Sequence, residues 1–247
     1  YTRSKKYLDF SLSSGALILG HSNKIFKKSI LNQINYGSNY SSNNINKEKY
    51  TKLLKKKFKN LNEFEFSNSG SESNLRALRL ARAVTNRKKY AMVNGSWHGS
   101  IDQFLFDFKM NNKKNSFEVK DLSSGVTKSK DLIILPYNDT NLSKKILDKN
   151  KNQISVIVIE PIQCGVPNSN SIKYLKFLQN YCKKQNILLW FDEVITGMRV
   201  NKLAVFHKYN FKPDIVTFAK CFGGGMPIGI TAFNKKISIK KKFIKQG

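Results

Sequence analysis

The sequence predicts an α/β fold, a doubly wound and mostly parallel sheet with helices on both faces. Three observations carry that expectation. Residues 154–159 (ISVIVI), 187–191 (ILLWF) and 215–219 (IVTFA) are short, continuous apolar runs, the pattern of strands buried on both faces. Between the first two, residues 172–184 have helical period, with Tyr174, Leu175, Leu178, Tyr181 and Cys182 on one side. Strand, helix and strand in that order imply a right-handed crossover and parallel pairing. Finally, the last two runs stop at charges, Asp192 and Lys220, and open α/β sheets bind ligands at the carboxyl ends of their strands.

The other elements follow in chain order. Residues 7–21 (YLDFSLSSGALILGH) suggest a short strand, a Ser/Gly turn and a second apolar run, followed by an amphipathic stretch and an Asn/Ser-rich loop. Residues 47–59 have helical spacing, with Tyr50, Leu53, Leu54 and Phe58 assigned to one face. A brief extended piece at 64–66 runs into SNSGSESN and then into LRALRLARAV, which has the period of a helix packed on a sheet. Residues 90–93 read as a strand before the loop NGSWHGS. Residues 104–129, with NNKKNS at their centre, read as a surface excursion. Residues 133–135 form a short strand before PYND, and the closing KKISIKKKFIKQG is basic and helical at best.

Composition narrows the function classes. A chain of 247 residues can bury a sizeable core, and it contains neither an eighteen-residue apolar run nor a signal-peptide pattern at its start. The opening residue is Tyr1, which is consistent with a natural start lying upstream. Three cysteines with no CxxC spacing suit a reducing cytosol and give no metal-ligand pair. The net charge of +28 invites a polyanion-binding reading, but only six of the 44 basic residues are arginine. The lysines are spread along the chain among abundant Asn and Ile, as drift at solvated positions would leave them. Base and phosphate recognition favours the planar fork of arginine. Specific nucleic-acid binding is therefore not expected, and a basic polyanion-binding or inactive scaffold is the alternative from another class.

Several residues carry chemistry if they meet. Ser69, Gly70 and Ser71 lie between an extended piece and a helix, where free N–H groups and hydroxyls make an anion site; read alone, the same residues are a helix N-cap. Trp97 and His98 sit in a Gly-flanked loop, where the indole could stack on a planar ring or only bury area. Asp192 closes a buried strand and needs a cationic or N–H partner, either a ligand's ring nitrogen or Arg199 or Lys220. Glu160, before a proline at another strand end, has a similar but weaker claim. Lys220 precedes CFGGGMPIG, and partial desolvation there would make it a Schiff-base nucleophile. An anion cradle, a flat aromatic, a carboxylate and a lysine match the four handles of pyridoxal 5′-phosphate.

In this order, SNSGSESNLRALRLARAVTNRKK, GSWHGS, LPYND, VIVIEPIQ, LLWFDEVITGMRV and PDIVTFAKCFGGGMPIG resemble the class III (ω-type) pyridoxal-phosphate aminotransferases. Within that family the chain is most similar to the glutamate-1-semialdehyde 2,1-aminomutase group and its relatives in surface-polysaccharide synthesis. The resemblance implies the type I transferase fold, with residues 1–45 a segment of a small domain and 46–247 a large cofactor-binding domain incomplete at its C-terminal end. It makes Lys220 the internal-aldimine lysine and proton shuttle, and Asp192 the partner of the pyridine nitrogen. Val194 and Trp97 would take the two ring faces. Ser69, Gly70 and Ser71 would hold the phosphate, and His98 and Glu160 would orient the ring. It further implies a small amino or keto substrate (a semialdehyde, an ω-amino acid or a keto-sugar), a cytoplasmic homodimer, no metal and no membrane. Two departures stand out. Trp97 replaces the family's Tyr or Phe, and Gln163-Cys164-Gly165 replaces the aminomutases' Gly-Asn segment, whose Asn contacts the ring oxygen. Family chains also continue past the position of Gly247, with a threonine for a neighbour's phosphate and an arginine for substrate carboxylate.

Overall fold

A computed structural model describes residues 5–40, 42, 44–111, 116–127, 129–167 and 171–241. The strands are β1 (Glu63–Ser67), β2 (Lys89–Val93), β3 (Phe106–Asn111), β4 (Ser116–Asp121), β5 (Leu132–Leu135), β6 (Ile154–Ile159), β7 (Leu188–Asp192), β8 (Ile215–Phe218) and β9 (Gly229–Phe233). The helices are α1 (Leu12–Gly15), α2 (Lys24–Ile34), α3 (Ile45–Lys57), α4 (Gly70–Thr85), α5 (Thr140–Asp148), α6 (Ser171–Gln185), α7 (Val205–Lys208) and α8 (Lys235–Lys241). Seven strands form one sheet in the order β1-β9-β8-β7-β6-β2-β5. Strands β5, β2, β6, β7 and β8 pair in parallel, and β9 runs against both β8 and β1. The fold is thus the α/β, mostly parallel sheet expected.

Alternation along the strands separates two covered faces. Ile157, Ile159, Leu189 and Phe191 join a core with Leu54 and Phe58, Leu147 of α5 and the inward side of α6. Val156, Val158, Leu188 and Trp190 join a second core with Ala77, Leu78 and Ala81 of α4 and with Ile237 of α8. All six residues of β6 are buried, which explains why its sequence never alternates with polar residues. The inward side assigned to α6 is correct residue for residue.

Three expectations need correction. Residues 104–129 are not a featureless excursion: β3 and β4 pair antiparallel as a separate hairpin, and Phe104 and Phe106 are buried in the α4 core. The Asn/Lys-rich centre of that stretch hid two alternating strands. No strand forms over described residues 7–19. Leu12, Ser13 and Ser14 instead take left-handed φ of 48°, 55° and 52°, and Gly15 takes 80°. Leu53 faces solvent, because on α3 the adjacent Leu54 occupies the core-facing position. At the chain end α8 is a short helix as expected, and residues 242–247 lie outside the described residues.

Candidate active site

The carboxyl ends of β7 and β8, the N-terminus of α4 and the loop after β2 surround one cavity of about 290 Å³. Ser69, Gly70, Ser71, Trp97, Asp192, Val194 and Lys220 all line it. His98 and Glu160 lie just behind, each nearly inaccessible. All nine residues singled out from sequence therefore converge.

Asp192 is held by three donors. Its Oδ2 accepts from Asn74 Nδ2 and from His98 Nδ1, both at 2.8 Å, and its Oδ1 accepts from Val194 N at 3.0 Å. Both acceptor positions on Oδ2 are used, whereas Oδ1 retains one. As the partner of a carboxylate, His98 carries its proton on Nδ1. Lys220 is not a partner of Asp192: its Nζ donates to the backbone oxygen of Ser14 at 3.0 Å. The salt bridge between them is excluded, and so is one from Arg199, which reaches Ile195 O and Gly15 O. Lys220 also lies just past the strand, opening a short 3-10 turn with a left-handed φ of 48°. For a side chain as long as lysine that backbone is costly and has to be held by its surroundings.

At the start of α4, the N-cap reading of the Ser/Gly turn holds. Ser69 is the N-cap, its Oγ accepting from Glu72 N at 3.1 Å, and Ser71 Oγ accepts from Ser100 N at 3.2 Å. The N–H groups of Gly70 and Ser71, in the first turn of a sixteen-residue helix, have no intrahelical acceptor and point the positive end of the helix at the cavity wall. Gly70 is closely packed, since a Cβ there would lie 3.2 Å from both Val194 methyls and 3.3 Å from Ala219 Cβ, which would have to yield by a few tenths of an ångström.

The Trp97 loop is clamped from behind. Glu160 Oε2 accepts from Trp97 N at 3.0 Å, and Gln163 Nε2 donates to Asn94 O at 2.7 Å and to Ser96 Oγ at 3.0 Å. The indole itself is 48% exposed, so backbone clamps rather than packing set its position. Burial pushes the Glu160 carboxyl up to about 7, with His98 countering and Asp192 adding to the rise. A carboxyl whose folded pKa is raised loses stabilisation as pH climbs from the unfolded value through the folded one, here from 4.5 to about 7, and levels off above. Glu160→Gln should therefore gain stability relative to the unsubstituted protein as pH rises across that window, read as a growing difference in urea midpoint. A difference independent of pH would contradict this.

Sequence reasoning missed Asn74 and Glu193. Asn74 bridges His98 O and Asp192 Oδ2, and its own Oδ1 is buried without a partner. Its signal was available: it lies one turn before Ala77 and Leu78 on the apolar side of α4, where a polar residue needs a reason. Glu193 is fully buried and accepts from Thr196 Oγ1, Val205 N at 3.1 Å and Phe206 N at 2.9 Å. Burial outweighs those donors and pushes its carboxyl up to about 7. It staples the loop carrying Val194 and Ile195 to the start of α7.

One cavity thus brings together the N–H groups of a helix start, a carboxylate fixed by three donors and a lysine. The chain belongs to the class III aminotransferase family, whose model matches residues 2–247. Among its relatives are glutamate-1-semialdehyde 2,1-aminomutases. That of Wigglesworthia glossinidia brevipalpis is 35% identical over 240 residues, covering 95% of this chain and 54% of the relative. That of Archaeoglobus fulgidus is 35% identical over 237 residues, covering 94% and 55%. Among solved structures, an omega-transaminase from Sphaerobacter thermophilus superposes with a TM-score of 0.87 at 23% identity, covering 94% of this chain and 54% of that one. A glutamate-1-semialdehyde aminomutase from Pseudomonas aeruginosa gives 0.83 at 19% identity, covering 98% and 53%. The chain spans about half the length of the curated relatives it matches.

Proposed function

We propose that this chain binds pyridoxal 5′-phosphate and serves amino-group transfer of the glutamate-1-semialdehyde aminomutase type. The observation that carries the reading is that Asp192 and Lys220 line one cavity without bonding to each other, beside a glycine-opened helix N-terminus. The cofactor fits the donor set. The partnerless Asn74 Oδ1 and the one open position on Asp192 Oδ1 leave polar capacity beside the cavity that both residues line. When bound, the cofactor supplies an electron sink that accepts the pair released on breaking a bond at the substrate's amino-bearing carbon.

The protein's own residues do the rest. Asp192 keeps a proton on the ring nitrogen, and Asn74 and His98 hold the carboxylate at a fixed angle. Val194 and Trp97, which both line the cavity, would hold the flat ring between them. The N–H groups of Gly70 and Ser71, with the Ser69 hydroxyl, bind the phosphate. Lys220 Nζ, which donates to the Ser14 carbonyl, would be the group that holds the aldehyde end of the cofactor and would carry a proton at that end. Glu160 keeps the Trp97 loop in place from behind. Residues 1–45 belong in this reading to a small domain and 46–247 to the large one.

Titration with the cofactor should raise a visible absorbance band, and borohydride should fix the added mass on the peptide containing Lys220. A protein that stays colourless would sink the reading. Assays with a semialdehyde amino acid, an ω-amino acid and a keto-sugar nucleotide separate aminomutase from ω-amino-acid and polysaccharide aminotransferase activity. Gln163 bears on this choice, since its amide is committed to the Trp97 loop. A homodimer is part of the proposal, supported by exposed Leu8, Phe10, Ile25, Ile34 and Tyr36 in the N-terminal segment. Light scattering should give the mass of two chains at micromolar concentration; a single-chain mass would remove the dimer.

A further inference from the structure

We infer that Arg199 is a positioning residue that latches the 12–16 turn over the cavity and so fixes the wall Ala16 supplies. The inference rests on the proposed use of that cavity, which Ala16 lines. The turn is an unfavourable structure to leave alone. Three consecutive non-glycine residues take left-handed φ, offset locally by Gly15 N to Ser11 O at 2.9 Å, Ala16 N to Ser13 O at 3.1 Å, Leu17 N to Leu12 O at 3.0 Å and Leu12 N to Asp9 Oδ1 at 3.1 Å. Contacts from outside the turn add to these.

Three donors from the site do so. Lys220 Nζ donates to Ser14 O, Cys221 Sγ reaches Gly15 O at 3.3 Å, and Arg199 Nη2 donates to that same Gly15 O. The thiol is a weak donor. The lysine is the group that must let go when it turns to a carbonyl carbon. Arg199 is then the remaining charged tether, and its geometry suits the task. Its Nε is fixed on Ile195 O at 2.8 Å, in the loop that Glu193 staples to α7, so the guanidinium spans two carbonyls of two chain segments. Gly15 completes the latch: with φ at 80°, it presents its carbonyl where a Cβ would run into the guanidinium. Arg199 is exposed, and replacing it leaves the core intact.

The test is hydrogen–deuterium exchange of the peptide spanning residues 8–20, measured without cofactor, in Arg199→Gln, Arg199→Lys and Lys220→Ala. Arg199→Gln should speed exchange there by about tenfold or more, as expected when a locally held turn is released. Arg199→Lys should fall between, because one ammonium cannot hold both carbonyls as a planar fork does. Lys220→Ala should keep most of the protection. With cofactor and an amino donor, Arg199→Gln should raise KM several-fold and leave kcat within about twofold, the signature of lost uniform binding. Unchanged exchange in Arg199→Gln, or equal release in Lys220→Ala, overturns the latch. Because exchange is read on the cofactor-free chain, a colourless protein with a released turn would refute the amino-transfer reading and leave the latch standing.

Discussion

Lys220→Ala should lose the visible absorbance of the bound cofactor and lower amino transfer by at least about 10³-fold, the scale seen when a covalent nucleophile that also moves protons is removed. The expected loss is large because no second group stands near to take over. Among the described residues Lys220 is the one lysine that lines the cavity, and Asp192 is bound by three donors. The fold should survive. Lys220 makes one hydrogen bond, to Ser14 O, outside both cores. Retention of the band, or turnover within about tenfold, would place the chemistry on another residue.

Asp192→Asn should separate binding from chemistry. An amide in that position sets an NH₂ either against Val194 N–H or against the Asn74 and His98 donors, so one hydrogen-bonding arrangement is lost whichever way it turns. Leaving a buried donor unsatisfied costs about 1–3 kcal/mol, so a lower urea midpoint is expected together with an intact far-UV spectrum. The ring nitrogen would lose its fixed negative partner. Turnover should then fall by roughly 10²–10³-fold, the range for removing one preorganised electrostatic partner, while cofactor affinity changes far less. Turnover within about threefold of the original would show that the carboxylate is structural only.

The sheet was legible because burial on both faces erases alternation, and ISVIVI, ILLWF and IVTFA record that directly. Asp192 and Lys220 were legible because a charge at the end of such a run is conspicuous. What could not be read were features whose reason lies far away in the chain. Asn74 is an ordinary helix residue until Asp192, 118 positions on, supplies its partner. Glu193 looks like a second surface acid until α7 turns its N–H groups inward. The left-handed turn at Leu12–Gly15 has one glycine to announce it, and the donors that reach its Ser14 and Gly15 carbonyls, Lys220, Cys221 and Arg199, lie 184 to 206 positions on. Leu53 and Leu54 were both assigned inward, but adjacent helical positions diverge too far for one face to hold both.

The reversed strand β9 has a consequence for how the site is wired. Had the chain after Lys220 continued as another parallel strand, it would have needed a crossover of a dozen or more residues, leaving from one end of the sheet and re-entering at the other. Running antiparallel, β9 starts at the same end where β8 stops, and its first residue, Gly229, pairs with Ser67, the last residue of β1. A connection bounded by Lys220 and Gly229 therefore ties the lysine turn to the threshold of α4. Gly229 sits so close to Ser69 O that any side chain would collide with it. The lysine and the start of α4, distant in sequence, become neighbours across one short strap, and their spacing is set by two ladders of backbone hydrogen bonds rather than by flexible side chains.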